Sequence, residues 1–271
     1  MEDDAKNPAS YDAIYLSPHL DDAVLSCGGQ IYRFTRSGQR VLVVTFMTGV
    51  SEEELSPAAV ELHGLWGFRP EQGVAPIVET RCREDVEACR TLGAEHLHAG
   101  LIDALYRRHG ESGEPLYPSV ASIFAEPVPA DEAQVAVIAA AVEGLPRATR
   151  VCAPFGIGGH VDHVLVRRAA ERVLGRDLEY YEDYPYAHSW KARWKAFGWR
   201  TPHAADGTPL RRERRTWTLG PDAIEAKCRA VRRYSSQIGA LFADEDDMER
   251  KVRAYARRVG GERVWWQVPR R

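Results

Sequence analysis

SPHLDDAVLSCGG, residues 17–29, is the stretch that brings a histidine and two aspartates to the end of a predicted strand. The apolar run at residues 13–16 predicts a buried strand before it. The helix predicted after it has apolar residues three or four positions apart, at Val24, Cys27, Ile31 and Phe34. In an open α/β sheet such a turn lies at the carboxyl ends of the strands, where ligands bind. Three titratable side chains are costly to gather there unless a cation or a substrate holds them.

Helix capping offers a simpler interpretation of this stretch. Asp21 or Asp22 alone is typical of an N-cap residue. A cap explains one aspartate and leaves His19 and the second aspartate unexplained. Nitrogen and oxygen donors in this arrangement suit a zinc-type ion. Two donors do not complete such a site, so a third ligand has to come from elsewhere in the chain.

A second motif, GGHVDH at residues 158–163, can supply the missing ligand. It follows the short apolar run at residues 150–155, which predicts another strand, and it opens a second amphipathic helix. The apolar face of that helix consists of Val166, Ala169, Ala170, Val173 and Leu174. Two strand-end turns that each carry His and Asp can meet at one sheet edge. A catalytic zinc needs three protein ligands and one open position for water.

The two motifs together resemble the HPDDE-type and HxDH-type signatures of the PIG-L/LmbE-like N-deacetylases. Three weaker matches occur in the family's order along the chain: Arg81-x-x-Glu84 before Leu92-Gly93, Lys227-x-x-Ala230-x-x-x-Tyr234-x-Ser236-Gln237, and Gly261-Glu262-Arg263. The resemblance spans roughly residues 11 to 268. Two ordered motifs with three weaker matches are more specific than either motif alone.

Two positions depart from the family pattern. Leu20 stands where the family usually has Pro, and Ala23 stands where it usually has Glu. Neither position is a family metal ligand, so we expect the metal site to be retained. The family's Glu contacts either a metal ligand or the substrate, and no residue fills that role here. The resemblance therefore gives weaker support for the identity of the substrate than for the metal site.

The resemblance implies a metal site and a general base. It assigns His19, Asp22 and His163 as metal ligands and Asp21 as the base that takes a proton from metal-bound water. Zinc lowers the pKa of bound water to about 7, so a nearby carboxylate can accept that proton. Zinc is the expected ion, although Fe²⁺, Co²⁺ or Ni²⁺ could occupy the same donors.

The resemblance also implies roles for residues around the reacting group. His160 is expected to stabilise the oxyanion or to protonate the leaving amine, with Asp162 holding the imidazole oriented and charged. Arg81 and Asp103 fall where similar proteins contact the sugar, and His188 is a candidate by position only. Arg81 could equally be a surface charge, and Asp103 could equally cap the next turn.

The predicted function is a metal-dependent hydrolase that removes an N-acetyl group from an amino sugar or glycoconjugate. One alternative is an amidase acting on a thiol-sugar conjugate or another N-acyl metabolite, and another is a metal-binding protein without turnover. A nicotinamide-dependent oxidoreductase is disfavoured because the first turn lacks Gly-x-Gly-x-x-Gly. The run GIGGHV at residues 156–161 ends in Val where that fingerprint needs Gly or Ala.

Composition limits the range of partners. The chain has 271 residues, of which 44% are hydrophobic and 28% charged, and a formal net charge of −3. This charge gives no general attraction to nucleic acid or to anionic lipid, and the basic run at residues 211–215 is interpreted as a solvated edge. The start of the chain lacks the apolar stretch of a signal peptide and no long apolar span follows, which predicts a cytoplasmic protein without a membrane span. Tryptophans that the sequence pattern predicts to be exposed suggest a contact between the subunits of a homo-oligomer.

Alternation of strands and helices predicts an α/β fold, a Rossmann-like, mostly parallel sheet flanked by helices with a C-terminal embellishment. The further predicted strands are at residues 40–46, 96–102 and 178–181. Predicted helices cover residues 80–92 and 131–142, the latter with Asp131 as cap and Gly144 as stop.

Residues 11–268 are expected to form a single domain after a disordered tail, residues 1–10. Two segments, residues 109–130 and 184–215, are expected to form pocket walls or surface excursions. Within the second segment, an amphipathic helix is predicted from the spacing of Trp190, Trp194 and Phe197.

Overall fold

A seven-stranded sheet organises the computed structural model, which describes residues 10–192 and 210–269. The strands are β1 (Ala13–Ser17), β2 (Val41–Thr45), β3 (Glu95–His98), β4 (Val151–Pro154), β5 (Leu178–Tyr181), β6 (Leu210–Trp217) and β7 (Glu262–Pro269). Their order across the sheet is β3-β2-β1-β4-β5-β7-β6. Strands β1 to β5 run parallel, whereas β7 is antiparallel to both β5 and β6. The predicted α/β class with a mostly parallel sheet is confirmed.

Helices cover the sheet in two groups. They are α1 (Asp22–Arg36), α2 (Pro57–Leu65), α3 (Ala75–Leu92), α4 (Val120–Ile123), α5 (Ala133–Glu143), α6 (Val161–Leu174), α7 (Pro221–Val231), α8 (Ser235–Leu241) and α9 (Glu245–Val259). Helices α1, α3 and α7 pack together, and α5 packs on α6. Crossover connections between parallel strands are right-handed. The helices that connect β1 to β2 and β3 therefore lie on one face of the sheet, and those that connect the strands on the other side of β1 lie on the opposite face.

The position of β1 determines where a ligand can bind. The chain leaves β1 toward β2 and β3 on one side and returns to β4 on the other side. Such a reversal of strand order opens a crevice at the carboxyl ends of the two central strands, and ligands of open α/β sheets bind there. The loops that follow β1 and β4 carry the two motifs singled out in the sequence.

Two apolar cores support this crevice. The main core contains β1 and β2, which are buried at every position because helices cover both faces of a parallel sheet. A smaller core packs beside the crevice and is formed by Ala58, Ala59, Val74, Ala104, Leu105, Tyr106, Leu116, Tyr117, Ile123 and Val161. It fixes α2, α4 and the segment after β3 as a wall opposite the sheet edge.

Several predicted boundaries differ from the structure. The strand predicted at residues 96–102 ends at His98, and the helix predicted from residue 80 already begins at Ala75. Asp131 does not cap α5. It is buried and accepts hydrogen bonds from Arg107 and Tyr117, so the helix begins after Glu132 instead. The predicted stop at Gly144 is confirmed as the C-cap.

The C-terminal embellishment takes the form of an antiparallel strand pair. Its basic run, residues 211–215, lies in β6 at the edge of the sheet. Trp190 is 71% exposed after a short 3₁₀ turn, whereas Trp194 and Phe197 of the predicted amphipathic helix lie outside the described residues. The predicted tail lies outside them as well, up to residue 9. Within residues 10–192 and 210–269, no helix is long and apolar enough to cross a membrane.

Gly261 should be indispensable where β6 and β7 meet. It has φ +132°, and a Cβ placed on it would overlap the carbonyl of Trp217, whereas Gly38 has φ +80° and open space around it. We expect Gly38→Ala to lower the free energy of unfolding by about 1 kcal/mol. Gly261→Ala should cost about 2 kcal/mol more because of the steric overlap. Urea unfolding followed by circular dichroism measures both, and equal losses would contradict this assignment.

Candidate metal centre and active site

The turn after β1 is held by the last residue of that strand. The Ser17 hydroxyl donates to the His19 carbonyl (2.7 Å) and accepts from the Ala23 amide (3.0 Å). Asp21 occupies the N-cap position of α1 but its side chain makes no capping hydrogen bond. Asp22 Oδ2 accepts from the His19 amide (2.9 Å). The simple capping interpretation therefore does not account for Asp21.

One carboxylate oxygen lies between two imidazoles. Asp22 Oδ2 is 3.1 Å from His19 Nδ1 and 3.1 Å from His163 Nε2. All three side chains are buried, and because the approach of His163 Nε2 to Asp22 Oδ2 lacks hydrogen-bond geometry, that nitrogen has no hydrogen-bond partner among the described residues. Two ligands of a tetrahedral zinc at about 2.0–2.1 Å are separated by about 3.3 Å. Both distances to Asp22 Oδ2 are close to this separation, and two imidazoles with one carboxylate are a donor set that a zinc-type ion accepts.

Each of these histidines has a carboxylate on its other nitrogen. His163 Nδ1 is 2.7 Å from Asp183 Oδ1, and His19 Nε2 is 3.1 Å from Asp162 Oδ2. Such outer carboxylates orient metal-ligating imidazoles and select their tautomer. Asp183 was missed in the sequence, although it follows the predicted strand at residues 178–181 and so reaches the same sheet edge.

Two groups of three side chains, neither of which contains Asp22, have one ligand atom each within 4.8 Å of one another. They are His19 with His160 and His163, and His19 with Asp103 and Asp162. In the second group both oxygens of Asp162 are engaged, by Arg107 and by the Ala104 amide, whereas Asp103 accepts from the Leu105 amide through Oδ1 only and its Oδ2 lies 3.5 Å from His19 Nε2. In the first group, His160 Nδ1 accepts from the Asp162 amide (3.2 Å).

Asp21 lies beside this centre at the edge of a cavity. Its burial and the adjacent charge of Asp22 raise the pKa of Asp21 to about 7, against the opposing effects of Arg81 and His19. A carboxyl group with this pKa gains and loses its proton near neutral pH, which is the property that a general base requires.

The structure departs from the role implied for Asp162. The Asp162 carboxylate contacts His19, Arg107 and the Ala104 amide, whereas only its backbone N–H reaches His160. Burial holds the pKa of His160 well below its ordinary value. Asp162 therefore does not hold His160 charged, because Arg107 and His19 occupy its oxygens.

The cavity measures about 300 Å³ and has two chemically different walls. The polar wall contains His19, Asp21, Asp22, Arg81, Asp103, His160 and Gln237. The apolar wall includes Leu62, Leu65, Trp66, Ile123, Phe124 and Leu241. The two sets of residues adjoin, since Arg81 contacts Trp66 and Phe124 contacts His160, so a substrate in this cavity can meet charged groups and apolar surface together.

Of the three predicted substrate contacts, two line the cavity. Arg81 is 8% exposed, its guanidinium carbon lies 4.4 Å from the centre of the Trp66 ring, and its Nε has no partner among the described residues. Asp103 also lines the cavity and, in addition, caps the turn after it. His188 is exposed outside the cavity, with its ring 6.5 Å from that of Tyr255. Trp66 was missed, and no feature of the sequence distinguished it from a core residue.

Both predicted excursions reach the cavity where the structure describes them. Residues 109–130 supply Ile123 and Phe124, and the segment from residue 184 supplies Pro185 and Tyr186. The Phe124 ring lies edge-on to His160 at 5.2 Å and to Tyr186 at 5.9 Å between ring centres. These aromatic side chains border the predicted oxyanion residue.

The weaker sequence matches contact one another. Glu84 accepts hydrogen bonds from the hydroxyls of Ser235 and Ser236, and Lys227 donates to Glu262 at 2.7 Å. These buried contacts hold α7 and α8 against α1 and α3 and bring Gln237 to the cavity. The segment at residues 227–237 is therefore structural at Lys227 and lines the site at Gln237.

Comparison with known proteins identifies the family. The model of the PIG-L family, described as GlcNAc-PI de-N-acetylase, matches residues 14–174. The chain belongs to the PIG-L family. The 2′-N-acetylparomamine deacetylase of Niallia circulans is 27% identical over 248 residues, covering 86% of this chain and 82% of the relative.

Solved structures of deacetylases match this family member over nearly its whole length. The zinc-inhibited form of teicoplanin deacetylase Orf2 has a TM-score of 0.78 with 28% identity, covering 97% of this chain and 99% of the other. The A40926 pseudoaglycone deacetylase Dbv21 has a TM-score of 0.72 with 28% identity, covering 96% and 98%. The predicted class, an N-deacetylase among the hydrolases, is confirmed.

Removing one metal ligand should separate binding from turnover. We expect His163→Ala to weaken metal binding by at least about 100-fold, because it deletes a predicted ligand. Asp21→Asn should keep the metal and lose turnover, because the amide cannot accept a proton. Elemental analysis after gel filtration measures retained metal, and an amine-release assay measures turnover.

A matched histidine controls this experiment. His96 is exposed on β3, so His96→Ala should retain both metal and activity. A full complement of tightly bound metal in His163→Ala would show that the ligand set is wrong.

Proposed function

We propose that this protein removes an N-acetyl group from an amino sugar that is carried on a larger molecule. The observation that carries this proposal is that Asp21 lines one cavity together with His19 and Asp22, while His163 Nε2 lies 3.1 Å from Asp22 Oδ2. The cavity volume, about 300 Å³, is at the lower end for small-molecule sites. It suits one sugar ring with its acetamide and the adjoining part of the larger molecule, whose remainder would extend beyond it.

His19, Asp22 and His163 would hold the metal, which we propose to be zinc. Two imidazole nitrogens with one carboxylate oxygen are an ordinary donor set for catalytic zinc, and Fe²⁺, Co²⁺ and Ni²⁺ accept the same donors. A bound ion of this kind supplies Lewis-acid polarisation of the amide carbonyl and activation of water. Asp162 and Asp183 keep the two imidazoles oriented for that role.

Asp21 moves the proton. As water adds to the acetamide carbon, the Asp21 carboxylate accepts a proton from it. The protonated carboxyl group then donates that proton to the amide nitrogen as the carbon–nitrogen bond breaks. The products are acetate and the free amine. Burial and the adjacent Asp22 raise the pKa of Asp21 to about 7, which supports transfer in both directions.

His160 is placed to stabilise the oxyanion as a neutral ring. Its Nδ1 accepts the Asp162 N–H, so that nitrogen carries no proton in this contact. A neutral imidazole then carries its proton on Nε2 and can donate it to the developing negative oxygen. Arg81 and Asp103 would bind polar groups of the sugar from the same wall.

The apolar wall favours an aglycone with apolar or aromatic surface. Trp66, Phe124 and Leu65 contribute much of this wall, and Leu65 is 54% exposed. Relatives include a 2′-N-acetylparomamine deacetylase and the A40926 pseudoaglycone deacetylase Dbv21. Because paromamine offers little apolar surface, we propose that the substrate is a glycopeptide-like conjugate rather than an aminoglycoside. A cytoplasmic location and a homo-oligomeric state stay predictions.

Mass spectrometry of a substrate panel tests the reaction. Zinc-loaded protein would be incubated with N-acetylated glycopeptide pseudoaglycones, 2′-N-acetylparomamine, free N-acetylglucosamine and a thiol-sugar conjugate. We expect loss of acetyl from a pseudoaglycone, abolished by chelation and in Asp21→Asn. Release from the thiol-sugar conjugate alone would favour the amidase alternative. Absence of any release by metal-loaded protein would contradict an N-deacetylase of this specificity.

Trp66 should contribute to recognition of the aglycone. We expect Trp66→Ala to raise KM for a glycopeptide substrate by about 10-fold, because an aromatic contact is lost, with a smaller effect on N-acetylglucosamine. Trp190, exposed and outside the cavity, provides the matched control, and Trp190→Ala should leave both KM values unchanged. Equal effects of Trp66→Ala on the two substrates would refute an aglycone contact.

A further inference from the structure

We propose that Arg107 is a positioning residue that sets the metal affinity by fixing Asp162 against His19. Arg107 touches neither the cavity nor the predicted ligands. It acts through one intervening carboxylate. The inference rests on the proposed metal site and adds a residue that neither motif contains.

Arg107 is buried and bonded to three acceptors. It is 6% exposed and follows the short turn at residues 104–106. Its Nη2 donates to Asp162 Oδ1 (2.6 Å) and to Asp131 Oδ2 (2.7 Å), and its Nη1 donates to the Ile102 carbonyl (2.9 Å). The guanidinium therefore has little freedom to move away from Asp162.

Asp131 completes the outer end of this chain of contacts. The Tyr117 hydroxyl donates to Asp131 Oδ2 at 2.8 Å, and Asp131 is 1% exposed. One guanidinium thus lies between two buried carboxylates. A buried carboxylate without a cation is strongly disfavoured, and Arg107 supplies the cation and donates a hydrogen bond to each of the two.

Asp162 transmits this constraint to His19. With Oδ1 bonded to Arg107, its Oδ2 accepts from the Ala104 amide (3.0 Å) and lies 3.1 Å from His19 Nε2. An oxygen that only accepts hydrogen bonds requires a proton on His19 Nε2. The lone pair of the neutral imidazole is then on Nδ1, the nitrogen 3.1 Å from Asp22 Oδ2. Arg107 therefore fixes the tautomer and the ring orientation that metal binding needs.

Metal affinity of three variants tests this role. Zn²⁺ binding to the full-length protein would be measured by competition with a chromophoric chelator, without substrate. We expect Arg107→Met to bind Zn²⁺ about 10- to 100-fold more weakly, as for other residues behind metal ligands. Arg107→Lys should fall between this variant and the wild type, because one ammonium cannot reproduce the planar fork.

The adjacent arginine supplies the control. Arg108 bonds the carbonyls of Gly113 and Glu54 rather than any residue of the site, so Arg108→Met should bind Zn²⁺ within twofold of the wild type. The visible spectrum of bound Co²⁺ gives a second readout. We expect it to change in Arg107→Met and not in Arg108→Met, because only the former releases His19.

Thermal unfolding of metal-free protein separates positioning from general stability. Arg107→Met that unfolds at a lower temperature yet binds Zn²⁺ like the wild type would overturn the proposal. If Arg107→Met does not fold, Arg107→Lys decides: weaker binding supports the proposal and unchanged binding overturns it. Wild-type protein that binds no metal would overturn the proposed function as well, whereas unaffected binding in both variants would overturn only the role of Arg107.

Discussion

Asp22 Oδ2 lies 3.1 Å from the imidazole nitrogen Nδ1 of His19 and 3.1 Å from Nε2 of His163. The arrangement of the candidate site at the sheet edge depends on these two contacts. One nitrogen comes from the turn after β1 and the other from the start of α6, so two segments 144 positions apart in the chain must converge on this oxygen. Strand order makes this possible, because β1 and β4 are parallel neighbours and the order in which strands are added to the sheet reverses at β1. Without this adjacency the two motifs would be unrelated loops.

Gathering several carboxylates at one buried edge is costly, and the fold offsets this cost with specific partners. Arg107 neutralises Asp162 and Asp131, while Lys227 pairs with Glu262 beneath α1. Asp21 is the exception, because no ion pair among the described residues compensates its burial. Burial and the adjacent Asp22 instead raise the pKa of Asp21 to about 7. The group left uncompensated is the one to which proton transfer is assigned, which is the pattern expected at functional sites.

The sequence predicted that the two motifs meet at one sheet edge, because each motif follows an apolar strand and opens an amphipathic helix, and the structure brings Asp22 and His163 together there. Asp183 could have been found by the same reasoning, since it also follows a predicted strand. Arg107 could not, because it lies in an irregular segment whose partners are 24 and 55 positions away. The run LRRERRTW of β6 has no apolar alternation, and its strand geometry comes from pairing with β7.

A crystal structure of the zinc-loaded protein, with anomalous diffraction at the zinc edge, tests the ligand set most directly. We expect one zinc peak bonded to His19 Nδ1, Asp22 Oδ2 and His163 Nε2, with Asp162 still on His19 Nε2. A zinc bonded to His160, or to His19 through Nε2, would contradict both the ligand set and the tautomer that Asp162 imposes.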